Sequence, residues 1–219
     1  MVNLIEYFAE FLFPSKCILC RELLDAGQLD LCPTCRKEVP DFTKSKIKHS
    51  FIARWTCLWY YKDTVRWCIL RYKFYNHTSY ARSFARLLAI KLQKEGFEDF
   101  DILTWVPVSS LRKFRRGYDQ VELLAHALAK ELNVKPVRTL KKVRNTPPQS
   151  TIREYAHRRA NVMGVYRVLS PELVKGKRIL LLDDVITSGA TASECAKTLS
   201  VAGAKHISFA AIAAAEHTK

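Results

Sequence analysis

Apolar residues along this chain fall into short continuous runs that alternate with stripes at helical spacing. The continuous runs predict strands, at about 51–61, 101–108, 137–143, 166–169, 179–182 and 206–214. Apolar positions three and four residues apart predict helices, over 64–75, 79–95, 121–132 and 191–202. Because strands that alternate with helices form parallel sheets covered on both faces, we expect an α/β fold with a mostly parallel sheet flanked by helices.

The first 45 residues do not follow this alternation. Residues 1–13 are apolar at helical spacing, which predicts a short amphipathic helix that ends at Pro14. This helix is expected to pack on the rest of the protein, and contact with a membrane surface is the alternative. Glu6 and Glu10 lie within it and no basic leader precedes it, so it does not resemble a secretion signal. We therefore expect a small N-terminal module at 1–45 and an α/β domain at 46–219.

The charge of the chain bears on its partners rather than on its fold. Lys and Arg number 36 and Asp and Glu 21, which gives a formal net charge of +15 over 219 residues. Such an excess favours nucleic acid, phosphorylated metabolites or an anionic membrane surface as partners, although a merely soluble basic protein has the same composition. No apolar run approaches the ~20 residues of a membrane-spanning helix. We therefore expect a cytoplasmic protein, in which cysteines do not form a disulfide framework.

Four of the seven cysteines form two closely spaced pairs. Two residues separate the members of each pair, and eleven lie between the pairs, which are Cys17 with Cys20 and Cys32 with Cys35. Two turns that each carry two thiolates complete a tetrahedral sulfur site for Zn²⁺, with no open position, so the site is structural. Free or redox-active thiols are the alternative. The other three cysteines lie in apolar or helical contexts and are expected in the core, at Cys57, Cys68 and Cys195.

The stretch RILLLDDVITSGAT at 178–191 places two acidic residues at the end of a buried strand. Ligands of open α/β sheets bind beyond the carboxyl ends of strands, where Asp183 and Asp184 stand. The small residues that follow lead into a helix and can hold a phosphate, at Thr187, Ser188, Gly189, Ala190 and Thr191. A ribose accounts for both features, because its hydroxyls donate to the carboxylates while its 5′-phosphate lies in the loop. An ordinary helix cap, the alternative, accounts for one acidic residue and one hydroxyl.

Two basic segments lie upstream of this stretch. The segment after the strand at 101–108 is predicted to be a loop with four cations, Arg112, Lys113, Arg115 and Arg116. A second polar loop carries four more, Arg144, Arg153, Arg158 and Arg159. A charge run is usually a solvated face, but cations next to a phosphate site can bind pyrophosphate or a nucleic-acid backbone.

Residues 179–191 resemble the 5-phosphoribosyl-1-pyrophosphate (PRPP) binding motif of type I phosphoribosyltransferases. In that motif two hydrophobic and two acidic residues precede a Thr/Ser-Gly-x-Thr loop. The resemblance implies a type I phosphoribosyltransferase-like fold, PRPP binding at 183–184 and 187–191, and Mg²⁺ bound with the pyrophosphate. Purine-salvage members carry Asp at the first loop position, where this chain has Thr187. Purine salvage is therefore not expected, and any general base must come from elsewhere.

Nearly the whole chain resembles the ComF family of competence proteins, which joins a four-cysteine zinc module to a phosphoribosyltransferase-like domain. The family's segments occur here in order, as VPVS at 106–109, RGYDQ at 116–120, RNTPPQ at 144–149 with later arginines and Asn161, and the PRPP loop. RYKF at 71–74 resembles the family's lysine-bearing helix end, which makes Lys73 a further candidate for pyrophosphate contact. Two positions depart from the family pattern: Ser109 replaces a proline and Asp119 replaces an asparagine.

This resemblance implies action in DNA uptake during natural transformation, in the cytoplasm at the inner face of the membrane. The implied partners are single-stranded DNA, PRPP or a related phosphoribosyl ligand, and a DNA-translocation ATPase of the competence machinery. Pyrophosphate or DNA contacts are expected at Lys73, Arg112, Arg115, Arg116, Arg144 and Arg158. Aromatic residues at 55–75 are candidate platforms for bases, although most are expected in the core. A conventional phosphoribosyltransferase acting on an unidentified base or amine, and a PRPP-sensing regulator that binds nucleic acid, are the alternatives.

Overall fold

A computed structural model describes residues 14–43, 47–144 and 162–216 of the chain. Helices and strands alternate along it, as the apolar pattern predicts. In chain order they are α1 Pro33–Glu38, β1 Arg54–Tyr60, α2 Asp63–Phe74, α3 Tyr80–Lys94, β2 Ile102–Trp105, α4 Ser110–Arg116, α5 Gln120–Glu131, β3 Leu140–Lys142, β4 Tyr166–Val168, α6 Pro171–Val174, β5 Arg178–Ile186, α7 Ala190–Val201 and β6 His206–Ala214.

Four of the strands form a parallel sheet in the order β1-β6-β5-β2. β5 lies in the interior of this sheet and pairs with β6 from Arg178 beside His206 to Ile186 beside Ala214. β3 and β4 form a separate antiparallel pair. The prediction of a mostly parallel sheet flanked by helices is confirmed.

Helices cover both faces of the sheet because side chains alternate along each strand. Leu180 and Leu182 of β5 face the core that α2, α3 and α5 complete. Ile179 and Leu181 face the opposite core, which α7 covers. All four side chains are at most 1% exposed, and burial of each contributes about 1.5–3 kcal/mol. The uninterrupted apolar run is therefore a strand buried on both faces.

The structure differs from the sequence prediction at two places near the acidic pair. The basic segment that follows β2 contains the helix α4 rather than a loop. Its leucine, lysine and arginine residues favour a helix, and Gly117 then adopts a φ of +78°, which ends it. β5 continues to Ile186, since β6 pairs with it to the end. Asp183 and Asp184 consequently lie within the last four residues of the strand and not after it.

The cysteine-bearing module packs against α2 and α3. The guanidinium group of Arg71 donates to the carbonyl oxygens of Ile18 and Leu19, at 2.8 Å and 2.6 Å. Arg86 on α3 forms an ion pair with the buried Asp30. Ile18 and Leu19 also belong to the same core cluster as α3. The module therefore shares its core with the helices that cover the sheet.

Several predicted features fall on residues outside the described ones. These are the N-terminal helix at 1–13, the expected module boundary at 45, and three arginines of the second basic loop, Arg153, Arg158 and Arg159. Among the helices that the structure describes, none has the length and apolar character needed to cross a membrane.

Candidate functional site

The four paired cysteines converge on one point. All four Sγ atoms lie within 4.8 Å of one another, and those of Cys20 and Cys32 are 3.7 Å apart. A tetrahedral site with Zn–S distances of about 2.3 Å places its sulfur atoms about 3.8 Å apart, so this donor set fits Zn²⁺. Cys32 caps α1, where its Sγ accepts a 3.4 Å hydrogen bond from the N–H of Cys35. The short helix thus holds the second pair of ligands on one turn.

The remaining three cysteines are core residues, as predicted. Cys57, Cys68 and Cys195 are 0% exposed. Burial raises the pKa of the Cys68 thiol to about 12 and raises those of Cys57 and Cys195 well above the usual range. Their thiols are therefore protonated and unreactive at neutral pH.

The two adjacent carboxylates of β5 have different surroundings. Asp184 is 6% exposed, and one of its oxygens lies 2.7 Å from Nζ of Lys73 on α2. Its other oxygen accepts a 2.8 Å hydrogen bond from Nε2 of Gln120, the first residue of α5. Asp183 accepts a 2.8 Å hydrogen bond from the N–H of Asp184. Sequence reasoning noted Gln120 only as part of the RGYDQ segment and missed this contact.

Asp183 has less favourable surroundings than Asp184. Burial, and next the negative charge of Asp184, raise the pKa of the Asp183 carboxyl well above its usual range. The backbone N–H of Asp184 and the charge of Lys73 oppose that rise. A ligand that donates hydrogen bonds or brings positive charge would stabilise ionised Asp183. Ribose hydroxyls and a hydrated cation are both ligands of this kind.

The loop between β5 and α7 has the backbone of an anion-binding helix start. Gly189 has a φ of +73°, which costs glycine nothing, and α7 begins at the next residue. The hydroxyl of the buried Ser188 accepts a 3.4 Å hydrogen bond from the N–H of Ala190. Because α7 is twelve residues long, its N-terminus carries the partial positive charge that attracts anions. Thr187 and Thr191 lie at the two ends of this loop, half-buried.

A histidine that sequence reasoning missed also lies at this loop. A Cβ atom at position 189 would be only 2.2 Å from Nδ1 of His49, so the imidazole packs directly on Gly189. The ring of His49 also contacts Trp55, with 5.0 Å between ring centroids. The Trp55 indole N–H in turn donates to the carbonyl of Ile47. His49 precedes β1 and is far from the loop in sequence, and no spacing or motif in the sequence places it there.

The RGYDQ segment links the acidic pair to α2. The hydroxyl of Tyr72 donates to the carbonyl of Gln120, and the hydroxyl of Tyr118 donates to the carbonyl of Tyr72 at 2.6 Å. Asp119 is the N-cap of α5, where its carboxylate accepts hydrogen bonds from the first N–H groups of the helix. Aspartate caps helices as well as asparagine does, so the departure from the family pattern at 119 keeps this structural role. Burial raises the pKa of the Asp119 carboxyl.

The cations predicted to bind anions are spread over several elements. Lys73 alone is seen to contact the acidic pair, among the predicted cations whose side chains are described. Arg116 stacks on Phe74, with 4.6 Å from the guanidinium carbon to the ring centroid. Arg144 donates to the carbonyl of Met163. The other three predicted cations have side chains outside the described part of the structure, at Arg112, Arg115 and Arg158.

The aromatic residues at 55–75 divide between the core and the surface. Trp59 and Tyr72 are buried, as most were expected to be. Trp67, Phe74 and Tyr75 are 57%, 58% and 67% exposed. Trp67 and Phe74 are seven residues apart on α2 and therefore share one face of the helix. Arginine side chains lie over the rings of Trp67 and Phe74, and the remaining exposed surface of these residues and of Tyr75 is accessible to other molecules.

Known protein families match the same two parts of the chain. The double zinc ribbon domain family matches residues 8–46, which contain the four clustered cysteines. The phosphoribosyl transferase domain family matches residues 121–219, which contain the acidic pair and the loop before α7.

Two relatives match along most of the chain, which includes both of these parts. Competence protein F of Haemophilus influenzae is 28% identical over 218 residues, which cover 89% of this chain and 95% of the relative. The chain belongs to the ComF family of competence proteins. Another relative of this ComF-family chain is the DNA utilization protein YhgH of Escherichia coli K12, which is 27% identical over 209 residues, 85% of this chain and 91% of the relative.

Solved structures resemble the ComF-family chain in fold. A glutamine PRPP amidotransferase from B. subtilis is 21% identical with a TM-score of 0.43, and the match covers 64% of this chain but only 30% of the amidotransferase. A purine phosphoribosyltransferase from Pyrococcus horikoshii is 19% identical with a TM-score of 0.37, over 62% of this chain and 74% of the other. The match of residues 121–219 to the phosphoribosyl transferase domain family, together with the parallel sheet flanked by helices, identifies the fold as that of type I phosphoribosyltransferases.

Proposed function

We propose that this protein acts as a competence protein in DNA uptake, that it binds a phosphoribosyl ligand between β5 and α7, and that it binds single-stranded DNA. The observation that carries the phosphoribosyl site is the pairing of Asp183 and Asp184 beside a glycine-containing helix start. The competence role rests on family membership, because the relatives are named for competence and DNA utilization. The protein works in the cytoplasm, at the inner face of the membrane, where a DNA-translocation ATPase would deliver the strand.

The ligand's ribose and phosphate fit two chemically different parts of the site. Ribose hydroxyls donate to Asp183 and Asp184, and the 5′-phosphate accepts from the N–H groups at 187–191. Lys73 already neutralises Asp184, so a ligand with several negative charges does not face two uncompensated carboxylates. Mg²⁺ fits the remaining chemistry, because Asp183 offers oxygen ligands and PRPP offers its pyrophosphate; when bound, it would neutralise the pyrophosphate charge.

The phosphoribosyl site is tested by calorimetric titration of zinc-loaded protein with PRPP and Mg²⁺. We expect wild-type binding and at least a tenfold loss of affinity in the double variant Asp183→Asn/Asp184→Asn, since two charge-assisted hydrogen-bond acceptors are lost. Asp41→Asn, which removes an exposed carboxylate from another part of the surface, is the matched control. Equal affinity of the double variant and the wild type would exclude the ribose role of the pair.

Single-stranded DNA binding is tested by fluorescence anisotropy across a salt series. A protein of charge +15 that neutralises several phosphates should lose affinity steeply as salt rises, with a slope of about −0.7 per phosphate contacted on single strands. A duplex of the same sequence distinguishes strand recognition from general attraction to a polyanion. A flat salt response, or no binding, would remove the DNA part of the proposal while leaving the phosphoribosyl site intact.

Phosphoribosyl transfer to a base or amine is the second candidate function. One observation favours it: the imidazole of His49 lies against Gly189, which brings a titratable group to a loop where Thr187 supplies none. Release of pyrophosphate from PRPP across a panel of bases and amines is the assay. We expect His49→Gln to reduce kcat more than it changes KM if His49 accepts the acceptor's proton. Binding of PRPP without pyrophosphate release on any acceptor would rule this function out for that panel.

A further inference from the structure

A cavity of about 390 Å³ lies where the zinc module meets the start of α3. It is separate from the acidic pair, since no residue of β5 or of the loop before α7 lines it. Its volume is within the range of sites that bind small ligands. The residues that line it are Pro14, Lys16, Ile18, Arg21, His77, Ser79, Tyr80, Arg82, Ser83 and Arg86.

The lining is basic and contains no carboxylate among the described residues. Arg86 is balanced by its ion pair with Asp30. Lys16, Arg21 and Arg82 are exposed and form no ion pair within the described part of the chain. Three cations around one concave surface, with no ion pair among the described residues, create a positive potential that attracts anions.

The imidazole of His77 also lies in this positive potential. Its ring lies beside that of Tyr80, with 5.0 Å between centroids, at the cavity wall. Burial, followed by the positive charges of Arg21 and Arg71, lowers the pKa of the His77 imidazole. Burial and the cationic neighbours both favour the neutral imidazole, and a bound anion would offset the effect of the cations.

The positive charge at the cavity comes from side chains and not from free backbone amides at the start of α3. The first N–H groups of α3 are already bonded within the preceding turn, from Tyr80 to the carbonyl of His77 and from Ala81 to that of Thr78. The hydroxyls of Ser79 and Ser83 add neutral donors at the cavity wall. Flexible arginine and lysine side chains together with hydroxyls are the donors that proteins use for phosphate groups.

We propose that this cavity is a second phosphate-binding site, independent of the site between β5 and α7. The phosphate group belongs either to a nucleic-acid strand or to a small phosphorylated molecule, and both present the same negatively charged oxygen atoms. The proposal goes beyond the proposed function, because it does not require a phosphoribosyl ligand to bind. If the strand is the source, the zinc module takes part directly in DNA binding.

The test uses the zinc-loaded full-length protein and observes the imidazole resonances of His77 by NMR, assigned with His77→Gln. Two probes are titrated separately, inorganic phosphate and a twelve-nucleotide thymidine strand. We expect a saturable shift of the His77 resonances in the wild type, and its loss in Lys16→Gln/Arg82→Gln. The control variant Lys135→Gln/Arg138→Gln removes the same charge at exposed positions that do not line the cavity and should keep the shift.

The His77 shifts observed with the two probes distinguish the two sources of the phosphate group. A shift with the strand alone identifies nucleic acid, and the salt slope of strand binding should then be smaller by about 1.4 in Lys16→Gln/Arg82→Gln, about 0.7 for each cation removed. A shift with inorganic phosphate alone identifies a small phosphorylated ligand, even if DNA does not bind. No His77 shift with either probe, or equal shifts in both double variants, would overturn the proposal. Strand binding with no His77 shift from either probe would leave the DNA function standing and exclude this cavity.

Discussion

The zinc module and the end of β5 both concentrate like charges in a small volume, but they neutralise those charges differently. The module brings four cysteine Sγ atoms within 4.8 Å of one another, and as thiolates, the form that binds Zn²⁺, they would carry four negative charges. The end of β5 places two carboxylates next to each other, and Lys73 and Gln120 serve one of them. The module therefore requires a metal ion, whereas the protein itself supplies much of the balance at the carboxylates.

This difference indicates what each region is for. A metal site is structural when four protein ligands occupy every coordination position of the ion, since no position then remains for a ligand. A site that leaves Asp183 with a raised pKa keeps an unsatisfied group for a ligand to satisfy. The two regions are then expected to respond in different ways when their balancing charges are removed.

Removal of the metal should have the largest effect. Structural zinc contributes on the order of 10 kcal/mol to the folding of small cysteine-rich modules, so chelation or Cys32→Ser should unfold residues 14–43. Four thiols per chain should then react with a thiol reagent within minutes after chelation, and three in Cys32→Ser, while the three buried thiols outside the module stay protected in the core. Cys195→Ala, which leaves all four ligands in place, is the control and should keep the zinc content at one per chain. A zinc-free protein in which all thiols remain unreactive would show that the module keeps its structure without a metal ion, and would contradict the contrast with the end of β5.

Loss of the positive charge of Lys73, which pairs with Asp184, should have an intermediate effect on stability. Lys73→Met leaves the buried Asp184 without its ion pair, which should cost about 3 kcal/mol of unfolding free energy. Lys62→Met breaks an ion pair with Glu216 whose side chains are 42% and 53% exposed, and should cost less than about 1 kcal/mol. Urea unfolding of both zinc-loaded variants measures this contrast. If the two variants lose equal free energy of unfolding, the ion pair of Lys73 with the buried Asp184 contributes no more to stability than the exposed ion pair of Lys62.

The ionisation of Asp183 should have the smallest effect. Because its folded-state pKa is raised, the folded protein binds more protons than the unfolded chain above the usual carboxyl pKa, so stability falls as pH rises toward the raised value. Asp183→Asn removes this cost and should be about 1 kcal/mol more stable than the wild type at neutral pH. The advantage should shrink as pH is lowered. Urea unfolding at several pH values, with Asp41→Asn as control, measures it; an advantage that does not vary with pH would contradict this cause.

Local sequence patterns were sufficient to predict the elements and the chemistry that lies within one segment. The period of apolar residues in β5 determines which side chains face each core, and the spacing of Cys17, Cys20, Cys32 and Cys35 determines the metal cluster. The turn at Gly189 likewise follows from a few adjacent residues. In each case the atoms that interact are carried by a motif that can be recognised on its own.

Contacts between distant segments could not be predicted in this way. His49 reaches Gly189 because the segment before β1 packs against the loop that precedes α7, and nothing in its own surroundings in sequence indicates this. Gln120 reaches Asp184 because α5 starts where β5 ends. The cavity beside Arg82 depends on how the zinc module packs on α3. Such neighbours are fixed by tertiary packing, which the periodicity of a segment does not encode.

Three consecutive residues of α2 contact three different parts of the protein. Arg71 holds the zinc module, Tyr72 holds the segment before α5, and Lys73 holds Asp184. Successive side chains of an α-helix point about 100° apart, so one turn distributes these contacts in three directions. Deletion of a single residue earlier in α2 would rotate all three side chains away from their partners at once. The length of this helix is therefore under a tighter constraint than the identity of most residues on its exposed face.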